Sequence, residues 1–321
     1  MHFLVRRAIT YLVVLFVVLN IIFFLPRFAP GSAATVLASG SKFAPEESAL
    51  ISARLGLNHP LYVQYAIFWK DVFSWPPYFG VSYEYYPTPV TTLFAAKLGW
   101  TALLILSSLA LSILITLLMN MTSSLRRGGK TEMGMFFSSI SLNSIPIYWT
   151  GMVLLWVFGV SLAWLPESGL VGFTPGTGLN YMISVITHAI LPVATLTVSL
   201  IGEGYLILRG SSQEVLKNDY VFAAEARGLK DRTIAFTYIL RNSLLPYVSI
   251  MSFSMASLVS RVILVEAIFG YLGVGDLLVD AIVNRDYPVI DGSIFFLTLL
   301  IIAGGLVGDI ILMKLDPRVK R

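Results

Sequence analysis

Long apolar stretches dominate the pattern of hydrophobic and polar positions along the chain. A helix needs about 20 residues to cross a hydrocarbon layer about 30 Å thick, because each residue adds about 1.5 Å. Six stretches meet this length, at residues 8–28, 98–121, 133–160, 182–208, 244–269 and 293–313. The pattern therefore predicts an all-α integral membrane protein with six transmembrane helices.

Composition supports a membrane location and narrows the classes of function. The chain has 321 residues, of which 56% are hydrophobic and 12% charged, whereas a soluble domain carries roughly 25% charged residues. It contains no cysteine, which excludes disulfides and thiol chemistry. The net charge of +4 is small and the basic residues are spread over the loops, so no nucleic-acid partner is expected.

Lys and Arg are distributed unequally between the two sets of predicted loops. The set that includes both termini holds fifteen of them, and the other set holds five, namely Lys42, Arg54, Lys70, Lys97 and Arg285. Because cytoplasmic loops are enriched in Lys and Arg, we predict a multi-pass protein of the cell (plasma or inner) membrane with both termini in the cytoplasm. The first apolar stretch exceeds the roughly 7–15 residues of a signal-peptide core, so it is expected to remain as a span.

The region between the first two spans is too long for a simple connection. Pro45, Glu46 and Glu47 are typical of a helix start, and an aromatic-rich run follows at residues 61–75. We predict an extracytoplasmic helical cap that lies on the membrane. The chain then divides into an N-terminal tail and first helix at residues 1–29, the cap region at residues 30–97, and a five-helix core at residues 98–321 that contains a cytoplasmic loop at residues 209–243.

Charged side chains interrupt the apolar sequence of the last three spans: Glu203 in the fourth, Arg261 and Glu266 in the fifth, and Asp309 in the sixth. A charge at mid-membrane costs about 2.5–3.5 kcal/mol on insertion scales, so such residues usually face a partner or a watery cavity. Arg261 and Glu266 are five residues apart, about 140° around a helix, and so do not share a face. We therefore expect Arg261 to pair with an acid on another helix, with Glu203 as the first candidate. For Glu266 the alternative is a position near the outer interface, in contact with water.

The third span contains Asn143 and Pro146, and a proline inside a helix predicts a kink. A kinked helix either lines a cavity or packs between neighbours, and the sequence leaves both possibilities open. Asn143, Tyr148 and Ser199 are the candidate residues for a solute pathway.

The charged segment from Tyr220 to Pro246 lies between two predicted spans. A helix-like run at residues 221–227 ends at Gly228, which is typical of a helix C-terminus, and a second helical run meets Pro246. A short polar helix between spans is suited to the docking of a soluble partner. An ordinary charged loop is the alternative.

Residues in this segment resemble a known family. Ala224, Glu225, Ala226 and Gly228, followed by Asn242, Leu245 and Pro246, resemble the cytoplasmic "EAA" loop of ABC-importer permeases. The long interval from Gly228 to Pro246 resembles the dipeptide, oligopeptide and nickel branch. Further segments that fit this branch in the same order are LGLNHPLYVQY (55–65), WLPESG (164–169), ILRGSSQEVLKNDY (207–220), ILVEAIFGYLGVGDLLVDAI (263–282), RDYPV (285–289) and LDPRVK (315–320).

The resemblance implies the permease subunit of an ATP-driven importer, which forms the translocation path for di- or oligopeptides. Relatives that carry oligosaccharides or nickel chelates keep those substrates open as alternatives. The implied partners are a second homologous permease subunit, two ATPase subunits, an extracytoplasmic substrate-binding protein and the lipid bilayer. The chain itself is expected to be non-catalytic and to bind no cofactor, since ATP and Mg would be bound by the ATPases.

The resemblance also implies an ATPase-coupling surface. In this interpretation the small Ala224 and Ala226 permit close approach, Glu225 accepts from a basic group of the ATPase, and Gly228 permits the turn. The full set is Asp219, Tyr220, Ala224, Glu225, Ala226 and Gly228. At Glu225 and Arg227 the chain departs from the commoner form of the branch.

Two alternatives come from other classes of protein. An ion-coupled secondary carrier would use Glu203, Arg261 and Asp309 as coupling sites, but a stand-alone carrier does not need the helix–glycine–helix loop. A membrane scaffold is a further alternative, against which the membrane charges argue mildly. The sequence disfavours a membrane enzyme, because it shows no set of metal ligands or nucleophiles.

Overall fold

A computed structural model of the protein describes residues 2–28, 58–75, 77–126, 128–174 and 176–315. The described residues form helices joined by turns, with one isolated antiparallel bridge between Val81 and Pro89. The helices are α1 (His2–Phe28), α2 (Leu61–Val72), α3 (Val90–Leu125), α4 (Lys130–Ser144), α5 (Ile147–Leu154), α6 (Leu179–Val215), α7 (Asp219–Ala226), α8 (Asp231–Phe253), α9 (Met255–Ile268), α10 (Val274–Val283) and α11 (Tyr287–Leu315). Two π-helical segments occur: Leu155–Ser161 continues α5, and Ile234–Leu240 lies within α8.

Four of these helices are long and apolar enough to cross a membrane. They are Arg6–Leu25 in α1, Val90–Leu125, Leu179–Val215, and Tyr287–Lys314 in α11. Two further pairs qualify only when their two limbs are taken together: Lys130–Ser144 with Ile147–Ser161, bent by 97°, and Asp231–Met251 with Ala256–Ile268, bent by 65°. Within the described residues the number of spans is therefore four, or up to six if each bent pair is one span. The prediction of an all-α membrane protein is confirmed.

The helices extend beyond the apolar stretches that predicted them. The third long helix, α6, ends at Val215, about two turns after the predicted end at residue 208, and α3 begins at Val90 instead of residue 98. Hydropathy marks only the part of a helix at hydrocarbon depth, whereas the helical hydrogen bonds continue into the interface. The second helical run that meets Pro246 in the sequence continues through it, because Pro246 lies inside α8.

The chain separates into two compact units. Of the described residues, the core unit contains those within 102–271 and 303–321, and the flanking unit contains those within 2–101 and 272–302. The predicted helix start at residues 45–47 lies outside the described residues. The aromatic-rich run that follows it forms α2 in the flanking unit.

Glycines permit close helix packing in the core unit. A Cβ atom placed on Gly202 of α6 would lie 2.9 Å from the amide nitrogen of Asn143 and 3.1 Å from the carbonyl oxygen of Ser139. Both of these atoms belong to the backbone of α4, so the two helices touch at this glycine. About three turns of α6 further on, Ser212 accepts from the Nδ2 atom of Asn120 on α3 (3.0 Å) and donates to Ser243 on α8 (3.1 Å). Close backbone contact and a buried polar chain thus fix α6 against its neighbours.

The flanking unit is built around the start of α11. The buried carboxylate of Asp286 accepts from the hydroxyl of Ser82 and from the backbone N–H groups of Tyr83 (2.9 Å) and Glu84 (3.1 Å). It also accepts from the N–H of Val289 in the first turn of α11 at 3.4 Å. One carboxylate therefore caps α11 and holds the loop before α3.

Candidate functional site

The helix α7 has a well-defined end. Gly228 has φ +71°, and its N–H donates to the carbonyl of Glu225 at 2.9 Å, while the N–H of Leu229 donates to the carbonyl of Ala224 at 3.3 Å. This pair of bonds is the Schellman arrangement, in which a glycine in the left-handed conformation satisfies the last carbonyls of a helix. The prediction that the helix ends at Gly228 is confirmed, and the helix begins two residues before its predicted start.

One face of α7 is buried in the core unit. Val221 and Ala224, three residues apart and therefore on one face, are 1% and 2% exposed. They belong to an apolar cluster with Val215, Ile234 and Ile239, against which Leu216, Leu229 and Tyr238 pack. This cluster holds α7 against the end of α6 and the start of α8.

The burial of Ala224 corrects one prediction. Its small side chain was expected to permit close approach of a partner, but it lies inside this chain's own apolar cluster. Its size instead allows α7 to pack closely on the rest of the core unit. The face of α7 that is open to solvent is the opposite one.

The exposed face of α7 carries an aromatic side chain that sequence reasoning missed. Phe222 is 73% exposed, and Asp219, Ala223 and Ala226 are exposed beside it. With about 100° between successive residues, Val221 and Ala224 point inward and these four side chains point away from them. Tyr220 is half exposed at the edge of this face. The same periodicity, applied to the sequence, would have identified Phe222 once Val221 was assigned to the inner face.

The remaining predicted coupling residues lie at the edge and the end of α7. Glu225 is exposed and takes part in an interaction within the chain, and Gly228 is exposed in the turn after the helix. Of the six predicted residues, five are therefore accessible and one is buried. Their role in coupling stays a prediction.

The predicted pairing of Arg261 with Glu203 is confirmed. The Nη2 atom of Arg261 lies 2.7 Å from Oε2 of Glu203. The other carboxylate oxygen of Glu203 accepts from the hydroxyl of Ser254 at 3.2 Å, at the break between α8 and α9. The carboxylate of Glu203 on α6 thus contacts both α9, through Arg261, and Ser254, the residue between α8 and α9.

The position of Glu266 corrects the alternative proposed for it. Its side chain is fully buried in the core unit, so the interpretation that it is solvated at the outer interface is wrong. The backbone carbonyl of Glu266 accepts from the N–H of Tyr271 at 2.8 Å, which closes the turn after α9.

The candidate pathway residues lie near a sharp bend. The 97° bend between α4 and α5 is at Pro146, which confirms the predicted kink. Asn143 and Tyr148 flank the bend and are exposed. Ser199 is half-buried on α6, one turn before Gly202, the glycine in contact with the Asn143 backbone. The structure thus brings Asn143 and Ser199 to neighbouring turns of α4 and α6, and their assignment to a pathway stays a prediction.

An ion pair at the start of α4 was not predicted. Oε1 of Glu132 lies 2.9 Å from Nη2 of Arg209 on α6, and Oε2 accepts from the N–H of Gly128 at 2.8 Å. The guanidinium of Arg209 also lies over the ring of Phe136, 4.4 Å from its centroid. Within the described ranges, no group of three or more His, Asp or Glu side chains is arranged to hold a metal ion.

Comparison with known proteins gives matches along almost the whole chain. Residues 112–321 match the family model described as binding-protein-dependent transport system inner membrane component. Residues 1–105 match the model for the N-terminal part of such membrane components.

Individual relatives are similar over their full lengths. The chain is 31% identical to the oligopeptide transport system permease protein AppB of Bacillus subtilis, with 99% of each chain covered. It is 30% identical to the di/tripeptide transport system permease protein DppB of Pseudomonas aeruginosa, over 100% of this chain and 99% of the relative. It is 29% identical to the oligopeptide transport system permease protein OppB of Haemophilus influenzae, over 100% and 99%.

Proposed function

The chain belongs to the family of binding-protein-dependent transport system inner membrane components, and from this premise we propose that it is the permease subunit of an ATP-driven peptide importer. In this proposal α7 is the element through which a separate ATPase moves the membrane helices. The proposal rests on the two faces of α7. One face is buried against α6 and α8, and the opposite face exposes Phe222.

The physical argument for coupling rests on where α7 is attached. A helix on a flexible loop would move without displacing the membrane helices when a partner binds it. In contrast, α7 is packed on the core unit through the apolar cluster that contains Val221 and Ala224. Packed elements move as rigid bodies. Displacement of α7 therefore displaces the end of α6 and the start of α8 with it.

In this proposal the exposed face of α7 is the surface that contacts the ATPase. Interface anchors are enriched in aromatic residues that fill a pocket on the partner. Phe222 is the large aromatic on this face, and the neighbouring Ala223 and Ala226 leave room for a pocket wall to approach it. The ATPase would bias the inward and outward states of the permease only by contacting α7 differently in each state.

The proposal includes an orientation and a set of partners. The excess of Lys and Arg in one set of loops supports a cytoplasmic location for both termini and for the loop at residues 209–243. Two ATPase subunits with ATP and Mg, a second homologous permease subunit and an extracytoplasmic substrate-binding protein would complete the importer. Peptides are the proposed substrate because the relatives named above are oligopeptide and di/tripeptide permeases.

Co-purification tests the docking face. We expect ATPase subunits to co-purify with the wild-type chain in mild detergent. With Phe222→Ala, the amount of co-purified ATPase should be at least tenfold lower. Phe173→Ala is the matched control, since Phe173 is a fully exposed phenylalanine in the loop before α6. If Phe222→Ala retains the ATPases as the wild type does, α7 does not dock them in the proposed way.

Single-cysteine labelling tests the orientation without background, because the chain has no cysteine of its own. In right-side-out vesicles we expect a membrane-impermeant maleimide to label Phe173→Cys and to spare Ala223→Cys until the vesicles are opened. The reverse pattern would invert the proposed topology. Uptake of a labelled tripeptide, compared with an oligosaccharide and a nickel chelate, tests the substrate class.

A further inference from the structure

A groove in the flanking unit combines an apolar wall with a cationic end. It has a volume of about 450 Å³, within the range of about 300–1,000 Å³ that is typical of small-ligand sites. The apolar lining comes from three helices: Val18, Ile21, Ile22 and Leu25 of α1, Ile282 of α10, and Ile290 and Ile294 of α11. Arg285 and Tyr287 also line the groove, at the start of α11.

The groove lies at one end of two candidate membrane spans. The span in α1 ends at Leu25 and the span in α11 begins at Tyr287, and residues from both of these ends line the groove. Arg285 precedes the span, so its guanidinium is at the level of the lipid headgroups, where Arg and Tyr commonly anchor a membrane protein. The aliphatic side chains deeper in the spans are at the level of the acyl chains.

The charge of Arg285 is available to a ligand. Among the described residues its guanidinium makes no ion pair, whereas the other basic residue near this end, Arg27, is bound to Asp291 at 3.2 Å. The neighbouring acid, Asp286, is saturated by the loop that it holds. Arg285 is half-buried in the turn between α10 and α11, with φ +55° and its N–H directed to the carbonyl of Ile282 at 3.3 Å. The turn therefore fixes the residue beside the groove.

We propose that this groove binds one anionic phospholipid, with an acyl chain between α1 and α11 and the phosphate on Arg285. The occupant follows from the surroundings, because lipid is the medium that covers an apolar groove inside a membrane span. A guanidinium can bind the phosphate of any phospholipid through two parallel hydrogen bonds. The selectivity follows from net charge, because the cationic group of a zwitterionic headgroup offsets the phosphate charge that Arg285 would meet. A basic group near the membrane surface favours anionic lipid by about 1 kcal/mol, which corresponds to about a fivefold preference.

Native mass spectrometry of the delipidated protein in detergent tests the proposal. Phosphatidylglycerol and phosphatidylcholine with identical acyl chains are added in turn, and the bound fractions are compared. We expect the wild type to prefer phosphatidylglycerol about fivefold and Arg285→Gln to lose that preference while still binding both lipids. Lys97→Gln is the matched control, because Lys97 is also in the flanking unit but already contacts Asp276 at 3.8 Å. The control should keep the preference.

The apolar part of the site has its own test. Ile21 is 53% exposed on the rim of the groove, so Ile21→Trp fills the groove without disturbing buried packing and should weaken both lipids equally. Added inorganic phosphate should displace neither, because the acyl chain is part of the ligand. An unchanged preference in Arg285→Gln, unchanged binding in Ile21→Trp, or displacement by phosphate would each overturn the proposal. Should Arg285→Gln unfold, Arg285→Lys must keep a preference for the anionic lipid. None of these outcomes depends on ATPase docking.

Discussion

The guanidinium of Arg261 on α9 lies 2.7 Å from the carboxylate of Glu203 on α6, and it also reaches the backbone carbonyl of Ser199 one turn earlier at 3.5 Å. The side chains of Arg261 and Glu203 are 23% and 26% exposed. Each charge is therefore compensated mainly by the other and only partly by solvent. Removal of one partner leaves the second charge in an environment that solvates it poorly.

Substitutions in this pair should be non-additive. We expect Glu203→Gln and Arg261→Gln each to lower the free energy of unfolding by about 1–3 kcal/mol, less than the roughly 3–5 kcal/mol of a fully buried pair because both side chains retain some solvent. The double variant should cost about 1–2 kcal/mol less than the sum of the two. Thermal unfolding in detergent, followed by tryptophan fluorescence, gives the three values.

The exposed Arg241 on α8 provides the control for this cycle. Arg241→Gln should leave the unfolding temperature within error of the wild type, because this exposed charge has no ion-pair partner in the described part of the chain and such charges contribute little. Additive losses in the Glu203 and Arg261 variants would show that the contact does not stabilise the core unit.

Gly202→Ala should destabilise the contact between α4 and α6. The new methyl group would meet the Asn143 backbone at 2.9 Å, closer than packed atoms approach. Because the obstacle is backbone, we expect a loss of about 1–3 kcal/mol in the free energy of unfolding.

Gly210 on the same helix is a matched control. A Cβ atom there meets nothing within 4 Å, so Gly210→Ala should be neutral or stabilise α6 by about 0.5–1 kcal/mol through helix propensity. Equal effects of the two substitutions on thermal unfolding would contradict the role assigned to Gly202.

Sequence reasoning predicted those features whose signal is local or has few alternatives. The helical class follows from apolar length, the bend follows from Pro146, and Arg261 finds Glu203 because an apolar sequence offers few acids as partners. The contact at Gly202 could not be predicted, since a glycine in a helix does not reveal which backbone it touches. The ion pair of Glu132 and Arg209 could not be predicted either, because each residue lies in a polar segment where many charged partners are available.

The candidate site shows the same division. The end of α7 can be predicted from Gly228 and its neighbours in the sequence. The burial of Ala224 cannot, because it depends on packing against Ile234 and Ile239, which come after the turn. The resemblance to a family marked a segment but did not show which of its faces is buried. Phe222 was therefore missed and Ala224 was assigned to the wrong face.

We expect the side chain of Asp286 to stabilise the flanking unit. Asp286→Ala removes the cap of α11 and leaves the N–H groups of Tyr83 and Glu84 without their acceptor. We expect a loss of about 2–4 kcal/mol in the free energy of unfolding, from about 1 kcal/mol for the cap and about 1–3 kcal/mol for the unsatisfied donors.

Asp286→Asn should be milder than Asp286→Ala. Burial raises the pKa of Asp286, so a neutral side chain avoids part of the cost of desolvation, and asparagine also caps helices well. Thermal unfolding of the two variants decides the matter. A loss near zero for Asp286→Ala would show that the contacts of this carboxylate contribute little, and a larger loss for Asn than for Ala would show that asparagine does not replace it as an acceptor.

Gly228 should be required for coupling because of its backbone conformation. Its φ is +71° and a Cβ atom would meet nothing within 4 Å, so conformation, not space, selects glycine. We expect Gly228→Val to strain the turn by about 1–2 kcal/mol and to abolish transport while the protein still reaches the membrane, whereas Gly228→Asn should retain transport because asparagine tolerates the left-handed region. Gly128, with φ +69° and equally open surroundings, is the matched control outside α7. Gly128→Val carries the same backbone cost and should keep transport. Peptide uptake by vesicles with equal amounts of each variant measures the difference, and normal uptake by Gly228→Val would remove the turn after α7 from the coupling mechanism.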